Sequence, residues 1–247
     1  MSPLPENRDA YQKLGQLGQT DASFILSPVS EELFDQLTDA FERVKKQPPE
    51  KAHTSFLKQT LYATIDQTTG YFFLGLATRM NLGKWANRVV NVGLRTTRGG
   101  LHLIVTQVLK ELDHQQLHPL VDFLGQTLIP LHGKAFLAFP IAPELAQRLE
   151  QAIELARHSD NPVEQGAFIA ETILEVSDVG MDFHFKEILR RIQVETWIIH
   201  SVNFGLKISK KAVRTMFNKV IPTLEKPQLI EMVSFMEENF LRGEQTR

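Results

Sequence analysis

Trp85-Ala-Asn-Arg-Val-Val90-Asn91-Val-Gly93-Leu94-Arg95 returns 112 residues later as Trp197-Ile-Ile-His-Ser-Val202-Asn203-Phe-Gly205-Leu206-Lys207. The correspondence extends outward in both directions. Upstream, Pro28, Glu32, Leu33, Leu37, Ala40 and Glu42 match Pro140, Glu144, Leu145, Leu149, Ala152 and Glu154. Between them, Phe56, Thr60 and Asp66 match Phe168, Thr172 and Asp178. Laid without a gap over residues 24–135, residues 136–247 give 23 identical pairs out of 112. Unrelated sequences of ordinary composition would give about 7. A self-match at fixed offset decides what counts as a structural unit, so it precedes any choice of fold.

Each copy reads as about five helices. In the first, residues 30–46 carry Leu33, Leu37, Ala40, Phe41 and Val44 at the 3–4 spacing of a one-sided helix. Ser30 is placed to cap it, and Glu31 and Glu32 favour its first turn. Helices follow at about 51–66, 71–82, 84–112 and 116–126, with 127–139 joining the copies. The second copy gives 142–158, 163–177, 182–194, 196–220 and 227–241. Residues 1–23 read as a loose, flexible N-terminal arm. No segment sustains period-two alternation, so no sheet is assigned. Units of about 112 residues are too long for TPR, HEAT or ankyrin repeats. The expected fold is therefore all-α: a tandem duplication of one helical bundle, residues 24–135 and 136–247, packed as a pseudo-twofold internal dimer.

Composition narrows the function. The chain has no cysteine, which excludes disulfides, thiolate catalysis and cysteine-ligated metals. No run of 18 apolar residues is present, and the N-terminal 20 residues lack the apolar core of a signal peptide. A cytoplasmic protein is expected, with attachment to the periphery of a membrane as an extension of that reading. Phosphate-loop, dinucleotide, zinc-protease, serine-hydrolase and di-iron motifs are all missing, and no cofactor is expected.

Net charge is −2, but it is unevenly spread. No acidic residue lies between Asp66 and Glu111, or between Glu195 and Glu225, while both windows hold several cations. In the first window, Arg88, Asn91, Arg95, Arg98 and His102 stand at spacings of 3, 4, 3 and 4. At 100° per residue they occupy an arc of about 80°. The second copy reads His200, Asn203, Lys207, Lys210 and Arg214. Like charges at this spacing repel, and an anionic partner would relieve them. The plainer reading is a solvated face, or pairing with acids on the first helix of the other copy.

Tyr71, Phe72, Phe73, Trp85, Phe183, Phe185, Trp197 and Phe204 surround the stripes. Cations beside aromatics suit an anionic lipid or amphiphile, and these ten stripe residues are the candidate anion-binding site. A nucleic-acid or protein adaptor using the same stripes is the alternative, with nucleic acid disfavoured by a pI near 6.5. An enzyme with an unfamiliar site at the repeat junction ranks third. Trp85 and Trp197 are themselves expected in the core, as large aromatics usually are. Asp66 with Arg79, and Asp178 with Arg191, are expected to form a structural ion pair in each copy. Gly93 and Gly205 suggest close helix approach, with Asn91 and Asn203 bonding across the contact. His114, His118 and Asp122 have the spacing of a metal face, but Pro119 interrupts it and no metal site is assigned.

Overall fold

At the centre lies a sheet that the sequence pattern did not announce. Its strands are Ser23–Val29 (β1), Leu128–Leu131 (β2), Lys134–Ile141 (β3) and Phe240–Leu241 (β4), in the order β2-β3-β1-β4 and antiparallel throughout. The all-α expectation is corrected on this point. Its period-two signal is erased because β1 is buried on both faces. Phe24 and Leu26 pack to one side with Ala10 and Leu14, while Ile25 packs to the other among Phe139 and Ile141. Pro28 is tolerated in β1 because of its position. Leu26 donates its N–H to Asn239, toward β4, and Pro28, two residues further on, faces the same way past the end of that strand's pairing. The segment expected to be a plain connector is a hairpin. His132 and Gly133 both have positive φ, as a two-residue turn between β2 and β3 requires.

The computed structural model describes residues 5–18, 22–46, 51–159, 164–192 and 194–243, and helices make up most of it. The segment read as a loose arm holds α1, Pro5–Leu17, whose Ala10 and Leu14 are fully buried against the sheet. The first half continues with α2 (Glu31–Lys46), α3 (Lys51–Thr69), a π-helical segment (Gly70–Gly75), α4 (Leu76–Arg79), α5 (Lys84–Glu111) and α6 (His114–Thr127). The second half has α7 (Pro143–His158), α8 (Gly166–Arg191), α9 (Thr196–Val220) and α10 (Lys226–Glu238). Ser30 caps α2 as expected, its Oγ accepting from the Leu33 N–H at 3.3 Å. Where two helices were expected over 163–194, α8 runs unbroken. In the first half Thr60, Thr64, Thr68 and Thr69 each bond back to a carbonyl four residues earlier, and the π turn follows. Such back-bonding competes with the helix ladder and bends it.

Several features recur at the 112-residue offset. α2 and α7 are displaced by 112 residues at both ends. Asp113–Gln116 and Glu225–Gln228 each form a capping box. The β1–β3 register sets Leu26 opposite Ala138, and Phe24↔Leu241 has its counterpart in Ile129↔Phe136. The expected Asp66–Arg79 and Asp178–Arg191 pairs are not formed. Arg79 instead lies 5.5 Å over the Phe235 ring and binds Glu238 through both terminal nitrogens, at 2.6 and 2.7 Å. Arg191 lies 4.7 Å over Phe123 and donates to Gln126 at 3.2 Å. Each arginine thus reaches an aromatic of the other half. The two larger cores likewise draw residues from both halves, so the halves share their hydrophobic interior.

Candidate functional site

Helices α5 and α9 pack antiparallel at unusually short range, and small residues make this possible. A Cβ on Gly205 would come 2.8 Å from the Gly100 carbonyl oxygen and 2.5 Å from Ile104 Cγ1, and one on Gly93 would come 3.1 Å from Met216 Cβ. Ser209 Oγ donates to the Thr97 carbonyl at 3.0 Å across the crossing. The glycines therefore serve close approach, as expected. The asparagines do not: both are exposed, and Asn91 Nδ2 bonds the Asn87 carbonyl of its own helix at 2.8 Å.

The cationic stripes divide in two. In the later turns the charges are met by carboxylates. Arg98 Nε lies 3.2 Å from Asp66 Oδ1 and donates to Thr69 Oγ1 at 3.0 Å, while Nη2 donates to the Asp66 carbonyl at 2.5 Å. His102 lies 3.3 Å from the same carboxylate and stacks on Tyr62 with ring centres 4.1 Å apart. On α9, Lys210 meets Asp182 at 2.9 Å, and Arg214 lies 3.7 Å from Asp178 and 3.8 Å from Glu171. Burial pushes the Asp182 carboxyl up, but hydrogen bonds from Lys210 and Lys186 outweigh it and hold the group below its ordinary value. These acids sit on α3 and α8, beyond the reach of a charge count along α5 and α9 alone.

In the earlier turns the cations are free. Arg88, Arg95 and Lys207 are exposed and form no ion pair among the described residues; His200, Asn91 and Asn203 are exposed beside them. Between them stand large apolar side chains in solvent. Trp85 is 54% exposed, Trp197 40%, Val92 60% and Phe204 59%, and Ile199 is exposed as well. The expectation that both tryptophans are core residues is corrected. Trp85, Arg88, Val92 and Arg95 follow 3–4–3 spacing along one face of α5, as Trp197, His200, Phe204 and Lys207 do on α9. Both helices line one cavity from their opposite sides, through Leu101 and Ile104 on α5 and Val213 and Phe217 on α9. The two exposed rows therefore lie together on the surface turned away from that cavity. Glu195 joins this surface, accepting from Trp197 Nε1 at 2.7 Å.

The cavity has a volume of about 230 Å³. One face of the β1–β3 pair forms its floor, through Ile25, Ser27, Leu137 and Phe139. The π-helical segment contributes Phe72 and Phe73, and α8 contributes Ser177, Gly180 and His184. An unfilled void of this size would cost on the order of 5 kcal/mol. No charged side chain is among the described residues that line it. Burial pushes the His184 imidazole down to about 4, so it is neutral at physiological pH. Sequence reasoning missed these groups. The signal available was His184, which stands where the other copy has Phe72.

The metal face is not assembled. Asp122 pairs with Lys45 at 2.6 Å, and no cluster of three potential ligands occurs among the described residues. The side chain of His114 lies outside the described residues. Compared with known proteins, the chain matches no family model, no curated protein and no solved structure.

Proposed function

We propose that this chain is a non-catalytic binding protein that lays the outer face of α5 and α9 against an anionic lipid surface. The reading includes descent from a tandem duplication of a unit of about 112 residues and a place on the cytoplasmic periphery of a membrane. One observation carries the function: exposed Trp85, Trp197, Phe204 and Val92 are interleaved with unpaired Arg88, Arg95 and Lys207 on a single surface. Indole rings favour the headgroup region, and each basic residue near an anionic bilayer contributes about 1 kcal/mol. Contiguous exposed apolar surface of this kind marks interaction sites in soluble folds. Among the described residues no helix is long and apolar enough to cross a bilayer, so the surface would engage lipid from outside. What supports the duplication is the set of matched bounds, caps and crosswise arginine–phenylalanine contacts at the 112-residue offset.

Cosedimentation tests the function. The full chain is expected to pellet with vesicles containing phosphatidylserine and to remain in the supernatant with pure phosphatidylcholine. A chain carrying Arg88→Glu, Arg95→Glu and Lys207→Glu is expected to stay in the supernatant with both. Pelleting of that variant with anionic vesicles would refute the proposal. Binding to single-stranded nucleic acid, with affinity falling steeply as salt rises, would favour the alternative partner.

A further inference from the structure

We infer that the internal cavity is a binding site for an uncharged, lipid-like molecule that carries a single hydroxyl or carbonyl group. The inference concerns the inside of the fold and stands independently of the outer face. An engineered cavity of about 150 Å³ lined by Leu, Ile and Phe stays dry and binds benzene. The cavity here is about 230 Å³, and its lining is of the same apolar kind.

The polar atoms around it select the ligand further. Thr64, Thr68, Thr69 and Thr97 are all bonded to backbone carbonyls of their own helices, so they offer little to a guest. Three groups are left. Ser27 is 5% exposed, and its Oγ has no hydrogen-bond partner. A buried hydroxyl in that state is unfavourable unless something fills the vacant bond. Ser177 and His184 lie seven residues apart on one face of α8, and neither has a hydrogen-bond partner among the described residues. The His184 ring is held edge-on by Phe139 and Phe183, with centres 5.8 and 5.3 Å away. A hydroxyl can donate to the neutral imidazole or accept from serine. A carboxylate or phosphate would find no cation, and an ammonium no anion. The ligand is thus neutral, in contrast to the anionic surface assigned to the outer face. Water is the poorer occupant, since it needs two to four polar partners and the walls are apolar.

Thermal unfolding and titration calorimetry on the full chain, with 1-decanol and decanoate as probes, test this. Decanol is expected to raise the unfolding midpoint and to bind at least tenfold more tightly than decanoate at pH 8. Ser27→Val or His184→Phe is expected to weaken decanol binding about tenfold, the worth of one hydrogen bond. Val105→Phe, which fills the cavity from α5, is expected to abolish decanol binding. The Arg88, Arg95 and Lys207 triple variant is expected to bind decanol as the natural chain does. That last result separates the cavity from the lipid-facing surface. Failure of decanol to bind the natural chain, or decanoate binding as tightly, would overturn the inference without need of any variant. Unchanged decanol affinity in both Ser27→Val and His184→Phe would overturn it too.

Discussion

The early and late turns of α5 and α9 carry the same kinds of residue and end up in different circumstances. In the late turns Arg98, His102, Lys210 and Arg214 face α3 and α8, whose Asp66, Asp178 and Asp182 neutralise them. In the early turns Arg88, Arg95 and Lys207 look outward beside exposed Trp85, Val92 and Phe204. A cationic stripe is thus one feature in sequence and two in space. Its late part holds helices in register, and its early part is left with unused charge. The lesson is that helical spacing shows which residues share a face but not what the neighbouring element brings to it.

The largest effect concerns the crossing that keeps both parts in place. Gly100→Ala would drive a Cβ into the Gly205 carbonyl, 2.8 Å away, and both backbones must shift. A loss of about 3 kcal/mol is expected in denaturant unfolding, with vesicle binding lost in proportion to the unfolded fraction. The second tests the division itself. Reversing Arg88, Arg95 and Lys207 should lower affinity for anionic vesicles at least about a hundredfold, since about 1 kcal/mol per cation is removed before repulsion is counted. The unfolding midpoint should stay unchanged. Arg98→Ala with Lys210→Ala should do the reverse, leaving vesicle affinity within about twofold.

The third contrasts two histidines. His102 has a carboxylate neighbour, while His184 is buried without one. Burial lowers the folded-state value of His184 to about 4 from an unfolded value near 6.5. The stability this neutral ring contributes is complete above about pH 6.5 and is lost as pH falls toward 4, by at most about 3 kcal/mol. Unfolding free energies measured across that window should slope in the natural chain and flatten in His184→Phe. The smallest effect is Arg98→Ala alone. Its ion pair is partly solvated, and a cost of about 1 kcal/mol in chemical denaturation is expected.

Helices were legible where one face is buried and the other wet. The range 196–220 read from spacing matches α9 at both ends, and 84–112 differs from α5 by one residue. The strands were hidden because burial on two faces replaces alternation with a continuous apolar run, as in Phe24-Ile25-Leu26. The joining of helices across residues 178–181 was hidden because α8 has no glycine–proline break there, only Gly180, whose missing Cβ admits the Phe139 ring. At the candidate site the cations were found, but their division was not, because Asp66 and Asp182 meet them from other helices. The exposure of Trp85 and Trp197 ran against the usual fate of large aromatics, and only their placement on the outer face of a helix pair reveals it.

These two tryptophans are the only ones in the chain, so their fluorescence reports on the proposed surface with nothing else contributing. The most direct measurement is the emission maximum of the full chain titrated with phosphatidylserine-containing and with pure phosphatidylcholine vesicles. A blue shift that saturates with the anionic vesicles alone, and is reversed by added salt, is the predicted result. An emission spectrum that remains that of solvent-exposed indole at saturating anionic lipid would contradict the account.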